Sequence, residues 1–211
     1  KRPVAPSLSY APAWWKSLDK DFVTDNGWIS STVKTCPGFV DLYKNSFALP
    51  IDREMQIQER DGRILWIPED AGESHADFQT NDFFKNDFYH LKISLNYSIC
   101  TGKNNKDKFL ITNNFWGDRK NIHVLNGVIQ PSAPFMIRIN MFIPKGFGML
   151  TFEHGDILAH IIPLSGKKYK IKRELLFGEK FNEYHKASLV MSKGFRTTVL
   201  RRDLNKYVGD R

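Results

Sequence analysis

"HLKISLNYSI", residues 90–99, decides how this chain folds. Leu91, Ile93, Leu95, Tyr97 and Ile99 alternate with His90, Lys92, Ser94, Asn96 and Ser98. Successive side chains of a strand point to opposite faces, so a period of two held this long predicts a half-buried β-strand with one polar face. The pattern recurs on either side. In "IDREMQIQ" (51–58), Ile51, Met55 and Ile57 share a face, against Asp52, Glu54, Gln56 and Gln58. Asp61-Gly62 then separates "MQIQER" from "RILWIP", and Asp-Gly supplies the positive backbone angles that a two-residue hairpin turn demands. In "PFMIRINMFIP" (134–144), Phe135, Ile137, Ile139, Met141 and Ile143 oppose Arg138 and Asn140. "GMLTFEHGDILAHIIPL" (148–164) predicts two more strands around a polar turn, and their apolar character on both faces predicts central positions.

Many short strands divided by turn signals indicate a mainly β protein, with a β-sandwich or jelly-roll-like body over residues 32–172. Residues 1–31 read as an extended arm rich in proline (Pro3, Pro6, Pro12) that ends in a paired anchor, Trp14-Trp15. Such an arm either folds back on its own domain or reaches a neighbouring subunit. "CPGFVDLYKNSF" (36–47) predicts a short amphipathic cap that turns Phe39, Leu42 and Tyr43 inward, with Cys36 as a small buried residue before the Pro-Gly turn. After the body, residues 173–211 space Leu175, Leu176, Phe181, Leu189, Val190, Val199 and Leu204 among charges, which predicts a helical basic segment broken near Gly178 or Gly194.

A chain of 211 residues, 41% hydrophobic and with 16 Phe, can bury a sizeable core. No apolar run is long enough for a transmembrane helix, and no secretory-signal pattern occurs in these residues. Cys36 and Cys100 cannot build a four-thiolate metal cage, and two scattered thiols fit a reducing compartment. The net charge of +8 points to a solvated basic surface or an anionic partner. Lys167, Lys168, Lys170 and Lys172 in "GKKYKIKRE", with Arg201 and Arg202 near the end of the chain, are the candidate contact surface, and nucleic acid is one partner they would suit.

The sharpest catalytic pattern is His75-Ala-Asp77 with a distal histidine at His154 or His160, of which His160 is preferred, and Arg173 beyond it. Two histidines and a carboxylate on one side of an Fe(II) ion leave the other side open for oxygen and 2-oxoglutarate. Against this, His75 and Asp77 lie in the polar run "EDAGESHADFQTND", and His160 alternates with Leu158 and Ile162 as a core histidine would. A cupin site lacks its His-x-His pair. No Gly-x-Ser-x-Gly elbow or phosphate-binding loop is present, and no histidine adjoins Cys36 to activate it. Carbohydrate stacking would fall to Trp66 and Trp116, the tryptophans expected to be exposed. The expectation is therefore of no catalytic residues, no metal and no cofactor.

"CPGFVDLYKNSFALPI" together with "GDILAHIIPLSGKKYKIKRE" resembles an uncharacterised β-rich protein family of tailed phages, notably large marine and cyanobacterial phages, with bacterial relatives. In that family a similar Cys-Pro-Gly segment precedes the first long strand, and a similar Ile-Ile-Pro strand precedes a charged segment. The resemblance spans about residues 32–174 and carries over no functional residues. It implies a phage context and a virion component. Joined with a β-body that carries an appendage at each end, it gives the expectation of a virion structural protein, in the host cytoplasm before assembly, with other virion proteins and copies of itself as partners and no membrane association. An arm with Trp14 and Trp15 at one end and a basic tail at the other would make the assembly contacts.

Overall fold

The computed structural model describes residues 3–75, 86–102, 105–116, 121–131, 135–174, 178–179 and 182. Among these the protein is mainly β, and every described strand register is antiparallel. Contacts divide the chain into two compact units. The first comprises Lys1–Leu95, Asp107–Gln130 and Arg138–Ile171; the second comprises Asn96–Lys106, Pro131–Ile137 and Lys172–Arg211.

The larger sheet of the first unit runs in the order β1 (Ala5–Pro6), β4 (Phe47–Pro50), β14 (Ile157–Pro163), β9 (Phe109–Asn113), β11 (Gly127–Ile129). β14 lies at its centre with Leu158, Ala159, His160 and Ile161 all buried, so both of its faces are covered. A second sheet has the order β10 (His123–Val124), β12 (Phe135–Pro144), β8 (Phe88–Ile99), β7 (Gly72–Ser74). The strand of residues 90–99 is thus the body of β8. Leu91, Ile93 and Leu95 are fully buried, as their alternation requires, and each contributes about 1.5–3 kcal/mol through removal from water. Lys92, on the opposite face, is buried as well, with its charge met by Glu73 on β7. The first residue of β7 is a glycine with no room for a side chain, since a Cβ there would stand 2.5 Å from the Trp66 ring and 2.6 Å from the Lys92 carbonyl oxygen.

A third sheet, β13 (Met149–Phe152), β5 (Met55–Arg60), β6 (Arg63–Ile67), contains the expected hairpin. Asp61 and Gly62 take φ of 53° and 72° between Arg60 and Arg63, the signs of the tight turn that Asp-Gly favours. Two sequence readings need correction here. The residues Ile51–Glu54 precede the strand rather than opening it. β13 is an edge strand and not a central one, with Met149 and Thr151 exposed, because its apolar run faces a partner on one side only. A fourth, two-stranded sheet pairs β2 (Asp21–Val23) with β3 (Ile29–Ser31).

Two short helices complete the first unit, α1 (Ala13–Ser17) and α2 (Pro37–Lys44). Pro37 opens α2 at the position where a missing N–H costs nothing. Only Tyr43 of the three residues expected to turn inward is buried; Leu42 is half-buried and Phe39 is 42% exposed. Cys36 precedes the helix in an exposed position, so it is not the small buried residue its neighbours suggested; neither Cys36 nor Cys100 is joined in a disulfide. In the second unit, the Thr101 amide and hydroxyl both donate to the Pro131 carbonyl, and Ile137 is buried. The helical segment expected over 173–211 lies almost wholly outside the described residues.

Candidate functional site

The residues from Ala5 to Ser17 are part of the body. β1 pairs with β4 through Ala5↔Ala48 and Pro6↔Phe47, and the chain then turns through a 3-10 segment, Ser7–Tyr10, into α1. Neighbouring helical residues are about 100° apart around the axis, so the two tryptophans differ in burial although both meet Trp116 edge-on, Trp14 at 6.3 Å. Trp15 turns inward, edge-on to Tyr43 at 4.6 Å and to Trp116 at 5.4 Å, while Tyr43 stacks on Trp116 at 4.2 Å. Trp14 is left 47% exposed. Burial pushes the Tyr43 phenol above its ordinary pKa. Trp116, expected at the surface, is therefore a core residue. The large exposed indoles are Trp14 and Trp28, and Trp66 is half-buried.

Beneath this aromatic cluster runs a chain of buried polar groups. Ser46 Oγ donates to Ser7 Oγ at 2.7 Å, and Ser7 Oγ lies 2.7 Å from His160 Nδ1. His160 Nε2 is 3.2 Å from Asn114 Oδ1. The orientation of Asn114 is fixed from two sides: its Oδ1 accepts from the Trp116 amide, and its Nδ2 donates to the Ile157 carbonyl. The imidazole proton therefore sits on Nε2 and is donated to Asn114, which leaves Nδ1 to accept from the Ser7 hydroxyl. The Phe115 ring stacks on the imidazole at 3.5 Å. Burial holds the His160 pKa down to about 3, so the ring is neutral at any ordinary pH.

Hydroxyl, imidazole and amide in this order match the residue types of a nucleophilic triad, but the chemistry such a triad performs needs substrate at the hydroxyl. Ser7, Ser46 and His160 are all fully enclosed. What the arrangement does is satisfy every member of a polar network while tying three separated parts of the chain, residues 7, 46 and 114, to the central strand.

The same bonds decide the iron reading. Both ring nitrogens of His160 are engaged, so it has no lone pair to offer a metal without dismantling the network. His75 is held elsewhere: its amide donates to the His90 carbonyl, its Nε2 lies 3.2 Å from Asn140 Oδ1, and its ring stacks on His90 at 4.0 Å. The His90 pKa is lowered, first by burial and then by the adjacent His75. Asp77 lies outside the described residues. Among the described residues no three His, Cys, Asp or Glu side chains form a group that could hold a metal ion, and no helix is long and apolar enough to cross a membrane.

The basic run after β14 is an exposed strap pinned at alternate positions. Lys167 forms an ion pair with Asp107 at 2.9 Å, and the Tyr169 hydroxyl also donates to Asp107 while its ring packs on Phe109. The Tyr169 hydroxyl first, and Lys167 after it, lower the Asp107 pKa, and Asp107 in turn raises that of Lys167. Lys168, Lys170 and Lys172 are exposed between and beyond these pins. Arg201 and Arg202 lie outside the described residues.

Among the described residues, the most exposed large apolar side chains lie in a stretch that strand periodicity did not single out. "DFVTDNGWIS" (21–30) folds as the β2–β3 hairpin, with Gly27 at φ 76° in its turn and the Thr24 and Trp28 backbones bonded across it. Trp28 and Ile29 are 75% and 76% exposed, and Phe22 and Val23 are exposed beside them. The register places Val23 opposite Ile29 and Phe22 opposite Ser30, so large apolar side chains emerge on both faces of the ribbon. Between the ribbon and α1 lies an open groove of about 800 Å³, lined by Trp14, Leu18, Phe22, Val23 and Ile29 with Asp19 and Asp21. The Asn-Gly turn at 26–27 was the available signal, since that dipeptide flanked by apolar residues marks a hairpin. No protein-family model matches the chain, and no curated protein matches it.

Proposed function

We propose that this protein is a non-enzymatic structural subunit of a phage virion, a capsid decoration, neck or tail component that assembles through its N-terminal region. On this reading the antiparallel sheets form a sandwich of the jelly-roll kind, and the hairpin of residues 21–31 is the part presented to neighbours. One observation carries it. Trp14, Phe22, Val23 and Ile29 expose large apolar side chains along a groove, and Trp28 is exposed on the same hairpin, whereas Ser7 and His160, the residues with catalytic character, are enclosed and mutually satisfied. Exposed apolar patches of this sort mark interaction surfaces, and a two-stranded ribbon has little stability of its own with both faces in water. The phage context rests on the resemblance of residues 32–174.

The test is quantitative mass spectrometry of purified particles from infected cells. The proposal expects the protein in particles at a fixed copy number. Its presence in lysate and absence from particles would overturn the proposal.

A further inference from the structure

We infer that the hairpin groove of one copy receives the strap Leu164–Ile171 of a second copy, giving a head-to-tail contact between subunits. This deepens the structural reading above and rests on it. The groove is lined mainly by apolar side chains (Trp14, Leu18, Phe22, Val23, Ile29) with Ser17 and Thr32, and among the described residues its charged lining residues are Asp19 and Asp21. Asp21 accepts from the Ser31 hydroxyl at 3.1 Å, and Lys34 behind the groove is spent on the carbonyls of Lys16 and Leu18. The strap offers the complement. Because Lys167 and Tyr169 are pinned to Asp107, Lys168 and Lys170 point away from the body, flanked by the exposed side chains of Leu164 and Ile171.

Two apolar side chains bracketing two cations thus match an apolar groove carrying two carboxylates. Backbone supports the same match. Both outer edges of the β2–β3 ribbon are unpaired among the described residues, and the strap, after a turn at Leu164–Ser165 and Gly166 at φ 69°, runs from Lys167 to Ile171 as irregular chain that belongs to no sheet. An open edge can take up such a segment by strand addition. Groove and strap are different patches, so the contact is heterologous; copies joined in this way propagate into a ring or a filament.

The experiment is a charge exchange followed by sedimentation velocity on the full chain. One variant carries Asp19→Lys with Asp21→Lys, the other Lys168→Glu with Lys170→Glu; circular dichroism confirms that both remain folded, since all four side chains are at the surface. Wild type is expected to associate as concentration rises, more weakly at high salt. Each variant alone juxtaposes like charges and should associate at least about tenfold more weakly than wild type. Mixed together, each hairpin again meets an opposite strap, and association should return. Wild type monomeric at every concentration, either variant associating as wild type does, or a mixture no better than its components would overturn the contact. Those results leave the virion reading standing if particles still contain the protein, whereas absence from particles removes that reading whatever the sedimentation shows.

Discussion

Residues 5–17 and residues 21–31 are neighbours in sequence and are handled in opposite ways. The first stretch is consumed by the fold: Ala5 pairs with Ala48, Ser7 enters the hydrogen-bond chain on His160, and Trp15 completes an aromatic cluster. The second, only four residues further along the chain, leaves Phe22, Val23, Trp28 and Ile29 exposed over half or more of their surface. Aromatic richness alone therefore does not mark an assembly surface. What separates the two stretches is whether the body supplies a matching cavity, and it does so for Trp15 and Ser7 only. The difference also recasts the paired tryptophans. Trp15 holds the arm to its own chain, and Trp14 faces the groove that the hairpin helps to form.

That contrast fails or sharpens with four substitutions. The largest expected effect is from Trp15→Ala, which empties a site enclosed by Tyr43 and Trp116 and should lower stability by about 3–5 kcal/mol in urea unfolding. A loss below about 1 kcal/mol would mean that the arm is not part of the fold. Next comes acid. His160 is neutral when folded, with a pKa of about 3, and takes up a proton near pH 6.5 once unfolded. The unfolded chain thus binds more protons below pH 6.5, so stability should be intact above that pH and fall as pH drops towards 3, by up to about 1.4 kcal/mol per unit. His90, lowered in the same direction, adds to the slope. His160→Gln should flatten the slope measurably, and an unchanged slope would place its origin elsewhere.

Ser7→Ala should cost about 1–3 kcal/mol, since it leaves His160 Nδ1 and the Ser46 hydroxyl buried without their partner. The accompanying readout is proteolysis: cleavage before Ala11 should accelerate, because Ser7 is the buried point at which the arm is tied down. The smallest effect on stability is expected from Trp28→Ser with Ile29→Ser, within about 0.5 kcal/mol of wild type. These residues belong to the other side of the comparison, and their loss should be felt in assembly alone.

Period-two strands were legible because burial on one face leaves a direct imprint on residue type. β8, β12 and the Asp61-Gly62 hairpin follow from alternation and turn chemistry without tertiary information. β13 was misplaced since an apolar run does not reveal whether one partner strand or two will adjoin it. His160 was legible as a core histidine, but not its partners. Ser7, Ser46 and Asn114 are ordinary loop and turn residues in sequence, joined only when β1, β4, β14 and β9 come side by side. The exposure of Trp28 and the burial of Trp116 were inverted for the same reason. Both are aromatic residues beside a turn, and only the presence of Tyr43 opposite Trp116 sends one inward.

The central claim is that the hairpin acts between molecules while the adjoining arm acts within one. It is tested most directly by the copy number of Trp28→Ser/Ile29→Ser protein in purified particles, set against wild type expressed at the same level. The account predicts a folded variant, with wild-type urea midpoint, that is absent from particles or strongly depleted in them. Incorporation equal to wild type would contradict it.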